Sequence, residues 1–332
     1  MKLRVVLSLL LLLLLIPATS GIMESEYRTY VPLVTKAIEP RGVGAHRSYV
    51  TIGPISREQA LRSLGVDWYY DWSVSPAVYD DIEAVPMIWD ETVVESPLGG
   101  NSEWILTFNE FDSPSQADMT NTQVAQLLRR IEQLYPNRKI VFPVPTADDW
   151  GQRDRVLSEY RRLYGEDPRV SAVAAHIYPR TWNYFVQVAD AACAFAERFG
   201  VKVWVTEYAY LPCWEGGTSQ AAVMMGQMTA YFEDNQNKFE RWAPFILSAT
   251  GNEAWNFGYS CNPTLFSMET GQMTAIGLSY KVDVVQPTPT FTLEPTSTPV
   301  VYADPRADVN DDRFVNIFDI AIVGSNFGRP VR

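Results

Sequence analysis

The sequence predicts an α/β fold, a (β/α)8 barrel over residues 48–281, followed by a Pro/Thr linker, 282–302, and a small acidic segment, 303–332. Three observations carry this expectation. Short apolar runs alternate with amphipathic stretches that open on helix-capping signals. The alternation runs over about 235 residues, close to the roughly 250 that eight βα units occupy. The composition then breaks at Gln286–Pro299, QPTPTFTLEPTSTP, where Pro and Thr alternate and no core can form. A doubly wound open sheet is the competing arrangement.

Taken in order, residues 1–20 read as a secretory signal peptide. Lys2 and Arg4 precede the apolar run Val5–Ile16, and Pro17-Ala18-Thr19-Ser20 supplies small residues for cleavage. An uncleaved anchor is the alternative, disfavoured because the run is short for a bilayer. The protein is therefore expected to be secreted. Residues 21–47 lack periodicity and are expected to form a leader. Tyr49–Ile52 is the first candidate strand, and Ser56 with Gln59 forms a capping box for a helix that stops at Gly65. Further strands are expected at Val66–Trp72, Ala84–Asp90, Trp104–Asp112, Lys139–Pro145, Val170–Tyr178, Val201–Ala209 and Arg241–Leu247. Helices are expected after Thr120–Gln123, over Asp154–Tyr164, Trp182–Phe199 and Ser219–Phe232, and last over Thr274–Tyr280. The link between the third and fourth strands is too short for a full helix.

Net charge is −12, which makes nucleic acid and anionic lipid poor partners and suits a neutral or cationic substrate. Aromatic residues make up 13% of the chain, a supply of flat faces on which neutral sugars can stack, although most are expected in the core. The three cysteines, Cys193, Cys213 and Cys261, form neither a disulfide framework nor a zinc pattern. Cys193 is expected to be a buried thiol, and Cys213 and Cys261 fall in loops where a secreted protein could pair them.

Two strands end on glutamates. WILTFNE delivers Glu110 after Asn109, and VKVWVTE delivers Glu207. A strand-end glutamate taken singly is often a cap partner or a surface charge. Two of them, in the fourth and seventh strand positions and at the C-terminal ends where such sheets hold their chemistry, point to acid/base work on a glycosidic bond. One carboxyl then donates a proton to the leaving oxygen while the other stays ionised. Asn109 can hydrogen-bond a sugar hydroxyl beside the acid. His176 ends the sixth strand between the two; a core role is the alternative to orienting the nucleophile. Trp68, Tyr70, Trp72, Trp89, Tyr178 and Trp255 are candidate sugar platforms. No catalytic cofactor is called for.

The ordered series GVDWYYDW, VPMIWD, ILTFNEFD, AAHIY and VKVWVTEYA resembles glycoside hydrolase family 128 of clan A over Ser48–Lys281. The resemblance implies a TIM barrel and retaining endo-cleavage of β-1,3-glucan, with Glu110 as acid/base, Glu207 as nucleophile, and Asn109 and His176 as supporting groups; the barrel is expected to be monomeric. Phe111 departs from the family's Pro, and the loop Leu211–Gly217 has no counterpart in its motifs. Other clan A activities on β-1,4-glucan or mannan, transglycosylation, and an inactive sugar-binding barrel are the competing functions. The tail resembles half of a dockerin. Asp308, Asn310, Asp312, Phe314 (through its carbonyl), Asn316 and Asp319 fall on the ligand positions of an EF-hand-like loop, although Arg313 stands where Gly is usual. That resemblance implies structural Ca2+ and a cohesin-like scaffold partner.

Overall fold

The computed structural model describes residues 40–146, 150–210, 213–249 and 263–281. The chain divides into two units, Met1–Asp283 and Val284–Arg332. The signal peptide, most of the leader, the linker, the calcium-loop residues, Trp255, Cys261 and the Cys213 side chain lie outside the described residues.

The first unit opens with β1 (Gly42–Gly44), then a hairpin of β2 (Thr51–Ile52) and β3 (Ile55–Ser56). Helix α1 (Arg57–Leu64) starts on the Ser56–Gln59 capping box and stops at Gly65, which takes the left-handed conformation. Next come β4 (Trp68–Tyr70), β5 (Glu83–Ala84), β6 (Met87–Ile88) and a 3-10 turn over Glu91–Val93. Then β7 (Trp104–Thr107) leads to α2 (Asn121–Leu134), and β8 (Lys139–Phe142) to α3 (Trp150–Tyr164). The chain continues through β9 (Ala172–Ile177), α4 (Trp182–Glu197), β10 (Lys202–Tyr208) and α5 (Cys213–Asp234). It closes with β11 (Phe239–Trp242) and α6 (Ala275–Tyr280).

Among the described residues, every strand ladder outside the small hairpin is parallel, and the only antiparallel pairs beyond it are the single bridges Tyr79–Ile82 and Phe266–Met273. One sheet runs β1-β4-β5 and the other β11-β10-β9-β8-β7-β6. They share the segment 83–88, interrupted at Pro86, which has no N–H to give a ladder. Val85 N–H still donates to Tyr69 O (2.9 Å), and Leu106 N–H to Pro86 O (3.0 Å). At the other margin Arg41 bridges Trp242, and Leu247 N–H donates to Gly44 O at 2.8 Å. The result is a barrel-like α/β layout.

Side chains alternate across this wall, as the pleat requires. Trp68, Trp104, Leu106, Ala174 and Trp204 form an inner cluster, while Ile105, Val173, Val203 and Val205 join the larger cluster under the helices.

The first strand is not Tyr49–Ile52. That stretch supplies only half of the antiparallel hairpin, and the parallel strand is Gly42-Val43-Gly44, inside the expected leader. Its glycines hid it, because they lack β propensity. They are required by close approach: a Cβ on Gly42 would stand 2.1 Å from the Trp68 ring, and one on Gly44 2.6 Å from the Trp72 ring. The other parallel strands fall inside the expected runs except β5, which begins one residue early at Glu83, and the last, which begins at Phe239. Helix α5 starts at Cys213, earlier than Ser219, so Cys213 opens a helix rather than lying in a loop.

Candidate active site

The strands deliver their polar ends to a single cavity of about 590 Å3. Both glutamates reach it through a break in strand alternation. Along β7, Trp104 and Leu106 face inward. Strict alternation would send Phe108 inward as well, but its φ is +39° and its ring joins the outer core. Glu110 follows with φ +43°, and Asn109 N–H is tied to Trp89 O at 3.0 Å. Along β10, Trp204 faces inward and Val205 outward. The pairing with β9 then slips between Val205 and Glu207, so Thr206 is an extra residue and Glu207 sits opposite His176. Such a bulge re-aims the side chain after it. Glu207 thereby faces the cavity while Tyr208 packs outward.

Trp72, Phe108 and Glu110 are all non-glycine residues in the left-handed region. Each such residue costs about 1–2 kcal/mol. Their concentration here means that packing and backbone ties hold strained conformations where the polar groups converge. Phe111 is one of those ties. It is fully buried, and its N–H donates to Val144 O at 3.3 Å, a bond that a proline could not make.

Glu110, Glu207 and His176 are 7%, 4% and 1% exposed, and one polar atom from each lies within 4.8 Å of the other two. His176 Nδ1 is 3.1 Å from Glu110 Oε1, and its Nε2 is 3.5 Å from Glu207 Oε1. Glu207 also accepts hydrogen bonds from Trp72 Nε1 (3.0 Å) and from the Tyr178 hydroxyl. Burial pushes the Glu207 carboxyl above its usual range, and the neighbouring Glu110 adds to this, while His176 and the two donors pull the other way. Burial would depress His176, but the charges of Glu207 and Glu110 outweigh it and hold the imidazole above its ordinary value, with Arg153 opposing. Tyr178 is pushed well up by burial and then by Glu207, so it stays a neutral donor.

Asn109 lines the same cavity. Its Nδ2 donates to Gln116 Oε1 at 3.3 Å, whereas its buried Oδ1 has no hydrogen-bond partner. Trp72, Trp89 and Tyr178 are partly exposed and line the cavity. Trp68 and Tyr70 do not belong with them. Both are fully buried; Trp68 donates to Pro40 O (3.0 Å), and the Tyr70 hydroxyl to Thr206 O (2.7 Å) beneath Glu207. They fill the interior and offer no face to a sugar. The sequence reading missed His46, Tyr49, Asp71, Asp90, Gln116 and Phe245, which also line the cavity. Most follow the C-terminal end of a strand, so a correctly placed first strand and attention to post-strand loops would have found them.

A model of the glycosyl hydrolase catalytic core matches residues 52–280. The chain belongs to this family. It is a glycoside hydrolase, and hydrolases of this kind need no catalytic cofactor. No curated protein matches the chain. Among solved structures, it is similar to a family 128 subgroup I endo-β-1,3-glucanase from Amycolatopsis mediterranei in complex with laminaritriose, with 23% identity, TM-score 0.56, and coverage of 73% of this chain and 98% of that one. A subgroup II endo-β-1,3-glucanase from Pseudomonas viridiflava matches at 24% identity and TM-score 0.55, covering 73% and 96%. A subgroup III curdlan-specific exo-β-1,3-glucanase from Blastomyces gilchristii, in complex with glucose, matches at 20% and 0.54, covering 73% and 97%. At these identities the likeness is one of fold.

Proposed function

We propose that this glycoside hydrolase is a retaining endo-β-1,3-glucanase of family 128, built on a closed (β/α)8 barrel and acting by double displacement. The observation that carries the reading is the carboxylate spacing: an oxygen of Glu110 lies within 4.8 Å of one of Glu207. Retaining pairs stand about 5–5.5 Å apart, and inverting pairs, which must admit a water, about 6.5–9.5 Å. The solved structures add support, since those of subgroups I and II are endo-β-1,3-glucanases.

Glu207 is the nucleophile in this mechanism. It accepts from two neutral donors, Trp72 and Tyr178, which favour its ionised form against the cost of burial. Glu110, held through His176, is the acid that protonates the leaving oxygen. It then takes a proton from the water that releases the glycosyl-enzyme. Asn109 Oδ1, buried and without a partner, is available to a sugar hydroxyl. Trp72, Trp89 and Tyr178 border the chain of sugars, and Trp255 remains a candidate platform. The signal-like residues 1–20 support secretion. The register of Asp308, Asn310, Asp312, Phe314, Asn316 and Asp319 supports a Ca2+ loop, and with it a cohesin-like partner.

The test is reducing-sugar release from laminarin and curdlan beside β-1,4-glucan and mannan, with NMR of the first product. Release from the β-1,3-glucans as the β-anomer is expected. Cleavage of β-1,4-glucan or mannan alone, or an initial α-anomer, overturns the reading.

A further inference from the structure

The same trio has the composition of a metal site. Two carboxylates and one imidazole converge with one polar atom each inside 4.8 Å. His176 is 1% exposed, and its Nε2 has no hydrogen-bond partner. That nitrogen faces Glu207 Oε1 at 3.5 Å. When His176 is neutral with its proton on Nδ1 toward Glu110, Nε2 brings a lone pair beside a carboxylate oxygen, two acceptors together away from water unless Nε2 takes up a second proton. A cation between them removes the conflict.

The dimensions agree. Zinc-class ions hold nitrogen and oxygen at about 2.0–2.2 Å, so ligand atoms of a tetrahedral site stand roughly 3.3–3.6 Å apart. The pair His176 Nε2–Glu207 Oε1 is already at that separation, 3.5 Å. One ligand atom from each of the three residues lies within 4.8 Å of the others, so side-chain movements on the order of 1 Å bring the set to that spacing. Glu207 is held from behind by Trp72 and Tyr178, as ligating carboxylates commonly are by outer groups. Glu110 and Glu207 line the cavity, from which a fourth ligand can approach them.

We infer that Glu110, His176 and Glu207 form a binding site for a zinc-class divalent ion (Zn2+, Co2+ or Cu2+), and that this ion reversibly blocks the enzyme in competition with its sugar substrate. The inhibitory effect rests on the glycosidase roles of the two glutamates; the binding itself rests only on the geometry. A mixed nitrogen and carboxylate set favours these ions, whereas Mg2+ and Ca2+ prefer all-oxygen sites of six or more ligands.

The full chain, saturated with Ca2+ so that acidic sites elsewhere are occupied, is titrated with Co2+ and followed by its visible d–d absorption, and with Zn2+ by calorimetry. A band of nitrogen/oxygen ligation is expected. It should be lost in Glu207→Gln, which keeps the shape of the side chain, and in His176→Phe, with circular dichroism confirming that the variants are folded. In steady-state assays on whichever glycan is cleaved, Zn2+ should raise apparent KM about tenfold with kcat unchanged, and Mg2+ should not. Metal binding that persists unchanged in both variants overturns the site, and inhibition that lowers kcat without raising KM overturns the competition. Loss of the band in Glu207→Gln by a protein that cleaves no β-1,3-glucan upholds the metal site while ending the substrate reading.

Discussion

The two ends of the inner cluster use the same materials to opposite effect. At the strand starts, Glu83 on β5 meets Arg241 on β11, with Glu83 Oε2 2.7 Å from Arg241 Nη1. Ser102 Oγ donates to the other Glu83 oxygen at 2.5 Å. The guanidinium lies 4.4 Å from the Trp204 ring centre, 5.5 Å from Trp68 and 5.8 Å from Trp104. A buried carboxylate is neutralised there by a cation that is itself surrounded by aromatic faces. At the strand ends, two buried carboxylates flank one histidine, Glu207 takes two neutral donors as well, and among the described residues neither meets an arginine or lysine in hydrogen-bond contact. A compensated charge is inert and locks packing. Charges left partly uncompensated are free to exchange a proton, as the proposed acid and nucleophile require. Tryptophan serves as a wall at one end and as a donor at the other.

The comparison can be broken most forcefully at the reactive end. Glu207→Gln should remove the nucleophile and lower kcat by at least about 10^3 with little change in the thermal midpoint. Single-turnover kinetics beside calorimetry checks both halves, and a variant with near-native turnover would remove the mechanism. At the inert end, Arg241→Ala leaves Glu83 as an unpaired buried charge. It should cost about 3–5 kcal/mol in denaturant unfolding. Equal stability would mean that the ion pair does not hold the base of the fold.

Smaller changes sharpen the contrast. Tyr178→Phe removes a donor to ionised Glu207, worth about 1.5–3 kcal/mol for a charged partner, so kcat should fall about 10- to 100-fold. It also has a sign in pH. Burial already raises Glu207, and loss of the donor raises it further. The acid limb of kcat/KM should therefore move to higher pH, because the nucleophile must be ionised. An unmoved limb would assign that limb to another group. Least of all, Thr120→Ala dismantles the capping box of α2. About 1 kcal/mol of stability should be lost with kinetics unchanged. A kinetic effect there would mean that α2 is coupled to the site.

How far the sequence reads can be judged within one motif. WYYDW places Trp68, Tyr70 and Trp72 on one face by period-two alternation, and the structure keeps all three inside the wall. Alternation specifies the face but says nothing of height. Trp68 sits in the base, Tyr70 beneath Glu207, and only Trp72 emerges into the cavity. Glu110 and Glu207 were legible because strand ends and chemical type coincide in them. The backbone breaks that aim them were not, since Phe108 and Thr206 look like ordinary strand residues. The strand Gly42–Gly44 was hidden for a different reason. Its identity is dictated by neighbouring tryptophan rings distant in sequence, and local propensity carries none of that information.

The extra residue at Thr206 has a consequence for how such a chain can change. A strand is a parity code, in which odd and even positions face different compartments, and one inserted residue inverts every assignment beyond it. Here the inversion falls one step before Glu207. Removing Thr206 would only restore plain pairing, with Val205 opposite Ala175 and Glu207 still opposite His176; straightening the ladder with Thr206 kept would instead point Thr206 and Tyr208 at the cavity and turn Glu207 toward the helices. Substitutions at the rim tune this protein; a β10 ladder that lost its bulge while keeping Thr206 would exchange the two sides of the strand beyond Val205 and leave the cavity walls in place without Glu207 between them.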